Sequence, residues 1–150
     1  MVLGIKMDLK KMFIVFIIAF SSNTNALDKG DIGEYAVIHK DGHVTNKIFR
    51  VAYTNDNWKI EDRKIDGSWE GVTCEKYCIL SNSTEQEVEL FMGGKPPKNM
   101  STSCIHNREF AFCSVTKSDE KIRKYLFLVI TQNPAIAINL QPLRNSEKKP

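Results

Sequence analysis

Hydrophobic and polar residues alternate along much of the chain after residue 34, and this alternation predicts short β-strands. The first two predicted strands, residues 35–40 and 44–53, flank Asp41-Gly42. An Asp-Gly pair between two β-prone runs is a strong signal for a tight hairpin. A third strand is predicted at 58–62, where apolar and charged residues alternate as they do in a strand with one solvent-exposed face.

Residues 84–92 fit either a short helix or a strand. Ser83 followed by Gln86 matches a capping box, and Gly93 is placed to end a helix. The apolar residues Val88, Leu90 and Met92 stand at every second position, so they would also share one face of a strand. We favour the helix because both of its ends carry the expected signals.

The rest of the chain contains further apolar segments separated by turn residues. The segment 27–33 is predicted to be an extended entry to the fold. Four more strands are predicted at 103–106, 109–116, 125–130 and 135–140. The unbroken apolar run 125–130 is predicted to be the most buried of them. Seven to nine short strands with one short helix near 84–92 predict a mainly β fold, a small antiparallel β-sandwich or barrel stabilised by disulfides.

The first 26 residues have the layout of a secretory signal peptide. A basic region with three lysines precedes nine apolar residues at 12–20, and a short polar stretch then ends in Ala26. Nine apolar residues are well short of the roughly 20 that span a membrane. We therefore expect cleavage before Leu27 and no stable membrane insertion afterwards. Translation from Met7 instead of Met1 would give a more compact leader with two of the three lysines, and both starts stay open.

The mature chain is expected to form one domain. Removing 26 of the 150 residues leaves 124, which is enough for one core and too few for two domains. We assign residues 27–141 to a single exported β-rich domain and residues 142–150 to a flexible tail. Because the leader contains three lysines and one aspartate, its removal lowers the net charge from +3 to +1. This charge does not suggest a nucleic-acid-binding protein.

All four cysteines follow Trp69 within a short stretch: they are Cys74, Cys78, Cys104 and Cys113. In an exported chain, an even number of cysteines indicates disulfides rather than catalytic thiols. Four cysteines allow three pairings, and our first expectation joins neighbours, Cys74 with Cys78 and Cys104 with Cys113. Each bridge would add about 2 to 4 kcal/mol of stability.

Candidate chemistry is sparse. His39 and His43 flank the predicted Asp41-Gly42 turn and can approach each other across it, with His106 as the candidate third metal ligand. Zinc sites usually have tighter local spacing, so we assign no metal and no cofactor. The chain has no Gly-x-Ser-x-Gly motif of the kind that holds a nucleophilic serine. The sequence therefore favours a non-catalytic role.

The leading hypothesis is a non-catalytic exported protein, periplasmic or secreted, that binds another exported or envelope protein as an inhibitor, immunity protein or envelope accessory protein does. One alternative is a hydrolase or other enzyme whose site is not visible in the sequence. The other is a small-ligand-binding β-barrel with a mouth lined by Trp58, Trp69 and Tyr77. Trp69 is also expected to anchor the core beside Cys74, unless it is exposed and anchors a partner.

Overall fold

A computed structural model of the chain describes residues 26–72 and 79–143. A 3-10 turn at Lys29–Asp31 precedes the strands, and α1, the one α-helix of the described residues, spans Glu85–Met92. The nine strands are β1 (Gly33–Ile38), β2 (Val44–Thr54), β3 (Asn57–Arg63), β4 (Trp69–Gly71), β5 (Ser81–Asn82), β6 (Met100–His106), β7 (Phe110–Lys117), β8 (Arg123–Val129) and β9 (Ile136–Leu143). The predicted mainly β fold with one short helix is confirmed.

The nine strands form one antiparallel sheet in the order β4-β3-β2-β1-β9-β8-β7-β6-β5. Most neighbours in the sheet are also neighbours in sequence, and the pairing of β1 with β9 joins the first strand to the last. The sheet curls so that its two ends come close together. Leu80, just before β5 at one end, forms an antiparallel bridge with Trp58 on β3, next to the other end. This single curled antiparallel sheet fits the predicted class, a small sandwich or barrel.

Tight turns join the first three strands. The hairpin predicted at Asp41-Gly42 is confirmed, and Gly42 has a φ of +91°, which glycine adopts without a steric cost. Between β2 and β3, Asn55 and Asp56 both have positive φ, as the central residues of a tight hairpin require.

Alternate side chains point into the curl and form the main core. This core consists of Leu27, Tyr35, Phe49, Val51, Ile60, Leu80, Ile105, Phe110, Phe112, Tyr125, Phe127 and Leu140. The Phe127 ring stacks against Phe49 and Phe110, with ring centroids 5.0 and 5.3 Å apart. Because these residues come from both halves of the sheet, burial of their side chains favours the closed curl.

A second apolar cluster lies on the outer face of the sheet, beneath α1. Val88 of α1 packs there with Cys104, Ala111, Cys113 and Leu128. β7 is therefore covered on both faces, and its first six residues are all buried. The prediction that 125–130 is the most buried strand is wrong, because three of its residues lie at the margins of the two clusters and stay half-buried: Leu126, Val129 and Ile130.

The predicted helix is confirmed, and it begins one residue later than the sequence suggested. Thr84, not Ser83, is the N-cap: its hydroxyl accepts the Glu87 N–H at 3.3 Å, and the Glu87 carboxylate accepts the Thr84 N–H at 2.8 Å. Gly93 ends the helix in the left-handed region, with a φ of +75°. Ser83 is free of the cap and instead turns toward His106 on β6.

One predicted disulfide is present. Cys104 and Cys113 face each other across β6 and β7, with Cα atoms 4.2 Å apart, and their sulfurs are bonded. Cys74, Cys78 and Tyr77 lie outside the described residues, as do residues 1–25 and 144–150. Within the described part of the chain, no helix combines the length and the apolar character needed to cross a membrane.

Candidate functional site

A polar cleft of about 430 Å³ opens at one end of the curled sheet. This volume lies in the lower part of the roughly 300–1,000 Å³ range of small-molecule pockets. The lining residues come from the amino-terminal segment and from β6, β7 and β8: Ala26, Leu27, Asp28, Asp31, Ser101, Ser103, Ser114, Thr116 and Arg123. We call this site the polar cleft.

The amino-terminal wall of the polar cleft is the 3-10 turn. Asp28 accepts the Gly30 N–H at 2.6 Å, and Asp31 accepts the Asp28 N–H at 2.9 Å. The prediction of an extended entry is wrong here, because Asp28 and Asp31 act as a capping box with two carboxylates. A Cβ at Gly30 would lie 2.9 Å from the Asp28 Oδ1, so a side chain at that position would push the cap apart.

Arg123 on β8 fastens this turn to the sheet. Its Nη1 donates to the Asp31 Oδ1 at 2.8 Å, and its Nη2 donates to the Asp28 Oδ2 at 3.0 Å. The hydrogen bond from Arg123 holds the pKa of the Asp28 carboxyl below its usual range. The same hydrogen bond raises the pKa of Arg123 further above its ordinary value. Both groups therefore stay charged at neutral pH.

Two buried tyrosines support Asp31 from inside the sheet. The Tyr125 hydroxyl donates to the Asp31 Oδ1 at 3.2 Å, and the Tyr35 hydroxyl donates to the Asp31 main-chain oxygen at 2.5 Å. Burial raises the pKa of both phenols, and the Asp31 charge adds to the effect. The two hydroxyls therefore remain protonated donors, and Tyr125 holds the buried Asp31 carboxylate while Tyr35 holds the main chain of the same residue.

A second wall of the polar cleft consists of four hydroxyl groups on β6 and β7. Ser101 pairs with Thr116, and Ser103 pairs with Ser114, in the register of β6 and β7. None of the four hydroxyls has a hydrogen-bond partner among the described residues. The sequence analysis did not predict this wall. Its signal is the two-residue period: on β6 and β7 the face that carries Ile105 and Phe112 continues, at every second position, with the small polar residues of the wall.

Of the three aromatic residues proposed as a binding surface, Trp58 and Trp69 do not line the polar cleft, and Tyr77 lies outside the described residues. Trp58 is half-buried against the main core, and its ring contacts the Tyr53 ring at 4.9 Å. Trp69 pairs with Arg63 on the outer face, and its ring lies under the Arg50 guanidinium at 4.3 Å. The prediction that Trp69 anchors the core is wrong, because Trp58 is the indole that packs against it.

The three histidines occupy two separate places, and none of them lines the polar cleft. His39 and His43 meet at the β1–β2 turn, where their rings stack with centroids 4.8 Å apart. His106 lies on β6, 2.8 Å from the Ser83 hydroxyl through its Nδ1 and 3.4 Å from the Glu87 carboxylate through its Nε2. His106 is therefore not the third member of a histidine cluster.

Ser83, His106 and Glu87 are connected in the order hydroxyl, imidazole and carboxylate, which is also the order of a serine hydrolase triad. Here the Ser83 side chain is buried, and the Phe91 ring packs against the imidazole at 5.2 Å. The Glu87 carboxylate also caps α1. These contacts assign the three residues to the attachment of α1 to β6.

Comparison with known proteins finds no family model that matches the chain, and no curated protein or solved structure with significant similarity to it. The polar cleft and the chemistry of its walls are therefore the basis for a functional proposal.

Proposed function

We propose that the protein is an exported, non-catalytic binding protein that holds a small, uncharged, hydroxyl-rich molecule in the polar cleft. The observation that carries this proposal is the wall of four hydroxyls that lack a partner among the described residues. Each hydroxyl can donate one hydrogen bond and accept two. A polyol or a monosaccharide presents several hydroxyls of its own, so it would satisfy the four that lack a partner in the described part of the chain.

The charges of the cleft support an uncharged ligand. Asp28, Asp31 and Arg123 already form hydrogen bonds with one another, and together they leave one negative charge. Cleavage after Ala26, as the sequence predicts, would create an α-ammonium group at Leu27, which also lines the cleft. The α-ammonium group would balance the one remaining negative charge, so the cleft would be neutral. A charged ligand would then find no counter-ion there.

A binding role, rather than catalysis, is supported by what surrounds the hydroxyls. Both carboxylates of the cleft pair with Arg123, and no histidine lines the cleft. A serine nucleophile needs an adjacent base, and the hydroxyls of Ser103 and Ser114 have none among the described residues. The Cys104–Cys113 disulfide is consistent with an oxidising compartment and supports export.

A protein partner was the leading hypothesis from the sequence, and the surface supports it less well than the cleft supports a small molecule. The most exposed large apolar side chains come from separate elements: Ile65 from the β3–β4 turn, Ile79 from the approach to β5, Leu90 from α1 and Ile122 from the approach to β8. A protein-binding surface is usually one contiguous apolar patch.

The proposal is tested by titrating the mature protein, followed by NMR, with myo-inositol, glucose and N-acetylglucosamine. Glucosamine and glucuronate serve as positively and negatively charged counterparts. We expect at least one uncharged compound to bind and to shift the resonances of Ser103, Ser114 and Thr116. The charged counterparts should bind more weakly. Tighter binding of glucosamine would contradict the charge argument, and no binding by any compound would contradict the proposal.

A matched pair of variants locates the site. Thr116→Val removes one cleft hydroxyl and keeps the side-chain volume, so it should weaken binding roughly threefold to tenfold. Thr54→Val makes the same change on the exposed end of β2 and should bind as the wild type does. Equal binding by both variants would place the ligand elsewhere. Melting temperatures of the two variants establish that both are folded.

A further inference from the structure

The turn between β1 and β2 brings His39 and His43 together. The His39 N–H donates to the His43 carbonyl at 2.9 Å, and the Gly42 N–H donates to the His39 carbonyl at 2.9 Å. Residues that pair across a hairpin project their side chains from the same face. The two imidazoles therefore lie side by side, with an angle of 25° between their planes.

Asp41 completes the group from the tip of the turn. Its Oδ1 accepts the His43 N–H at 3.1 Å and lies 3.2 Å from the His39 Nδ1 and 2.5 Å from the His43 Nδ1. The ligand atoms of the three residues all lie within 4.8 Å of one another. Their side chains are 57 to 61% exposed, so an ion can reach them from solvent.

The type of these ligand atoms defines the class of ion. Two imidazole nitrogens and one carboxylate oxygen suit Zn²⁺, Cu²⁺ or Ni²⁺, whereas Ca²⁺ and Mg²⁺ prefer oxygen alone. Ligand bonds of about 2.0 to 2.2 Å at a tetrahedral ion place neighbouring ligand atoms about 3.4 Å apart. The 3.2 Å between the His39 Nδ1 and the Asp41 Oδ1 is close to this spacing.

We propose that His39, Asp41 and His43 bind one divalent transition-metal ion, zinc or copper in type. The ion takes the place of the hydrogen bonds that the two imidazoles now make to Asp41. Three protein ligands leave at least one coordination position, which water or another small ligand fills from the solvent side. The site is separate from the polar cleft, because none of its residues lines that cleft.

Isothermal titration of the full mature chain with ZnCl₂, and separately with CuCl₂, tests the proposal in a buffer that does not chelate metals. We expect one ion per chain at this site. His39→Asn and His43→Asn should each weaken binding at least about tenfold, which is 1.4 kcal/mol. Lys40→Asn changes an exposed residue of the same turn that offers no ligand atom, and it should bind as the wild type does.

Paramagnetic Cu²⁺ supplies a second readout, because it broadens NMR signals near the bound ion. We expect the broadening to centre on residues 39–43. Broadening centred on His106, or equal zinc affinity in the wild type and in the His43→Asn variant, would overturn the proposal. The substituted side chains are exposed, so the variants should keep the wild-type melting temperature without metal, and that measurement establishes that a lost affinity is not lost folding.

Discussion

Arg123 and Asp31 are 92 residues apart in the sequence, and the Arg123 guanidinium donates a 2.8 Å hydrogen bond to the Asp31 carboxylate. The Asp31 side chain is only 3% exposed. This contact fastens the amino-terminal turn to β8 and so forms one wall of the polar cleft. A carboxylate at this depth depends on its cation, since an unpaired buried charge is strongly destabilising.

Arg123→Met should lower the free energy of unfolding by about 2 kcal/mol or more, because Asp31 would keep its burial and lose its cation. Denaturant unfolding measures the loss. Arg63→Met is the matched control, since Arg63 lies on the exposed outer face of β3 and forms no ion pair with another described residue. The control should change stability by no more than about 0.5 kcal/mol. Similar losses in the two variants would show that the ion pairs of Arg123 with Asp28 and Asp31 do not stabilise the fold.

Acid should loosen the same turn. The hydrogen bond from Arg123 lowers the pKa of Asp28 in the folded protein below its ordinary value of 3.8. A carboxyl with a lowered folded pKa adds stability above its unfolded pKa, and this contribution disappears as the pH falls through the folded pKa. The Asp28→Asn protein should therefore lose less stability than the wild type between about pH 5 and pH 2.

Unfolding at a series of pH values tests the acid prediction. Asp119→Asn changes an exposed carboxylate in the β7–β8 loop that forms no ion pair with another described residue, and it should leave the acid dependence close to that of the wild type. If the Asp28→Asn protein loses as much stability in acid as the wild type does, Asp28 does not contribute to the acid dependence of stability.

The Cys104–Cys113 disulfide should stabilise the β6–β7 hairpin mainly through the unfolded state. The two cysteines are 9 residues apart, and a loop of this length corresponds to about 2 to 3 kcal/mol. The double variant Cys104→Ala/Cys113→Ala should lose about that much stability in denaturant unfolding. Alkylation of the denatured wild type, followed by peptide mass analysis, should leave both cysteines unlabelled. Labelling of either one would contradict the bond.

Local pattern was enough to predict the strands and several of their faces. The hairpin at Asp41-Gly42 is confirmed, and within the strand predicted at 109–116 Phe112 and Cys113 lie on opposite faces. These features depend on residues a few positions apart, where the two-residue period of a strand and the backbone demands of a turn operate directly. The end of α1 at Gly93 was predicted for the same reason.

The polar cleft could not be predicted in the same way, because it depends on contacts between distant segments. Arg123 and Asp31 meet only after β8 and the amino-terminal turn reach the same end of the curled sheet. The pairing of Trp69 with Arg63 determines which face of the sheet the Trp69 side chain lies on. A shift of one residue in that register would turn the Trp69 side chain inward. Sequence alternation does not fix which register forms.

The two tryptophans provide the clearest test of that register. Trp58→Ala should cost about 3 kcal/mol, at the low end of values for a lost indole, because Trp58 is half-buried against the core and contacts the Tyr53 ring. Trp69→Ala should cost only about 1 kcal/mol, since its main contact is with the Arg50 guanidinium on the outer face.

Denaturant unfolding of the two alanine variants, measured under one condition, ranks the tryptophans. Arg50→Ala removes the other half of the cation–π contact, so adding it to Trp69→Ala should cost less than the sum of the two single losses. Adding Arg50→Ala to Trp58→Ala should give additive losses, because no contact joins Arg50 and Trp58 among the described residues. A larger loss for Trp69→Ala than for Trp58→Ala would mean that Trp69 faces the core and that the register of β3 with β4 is different.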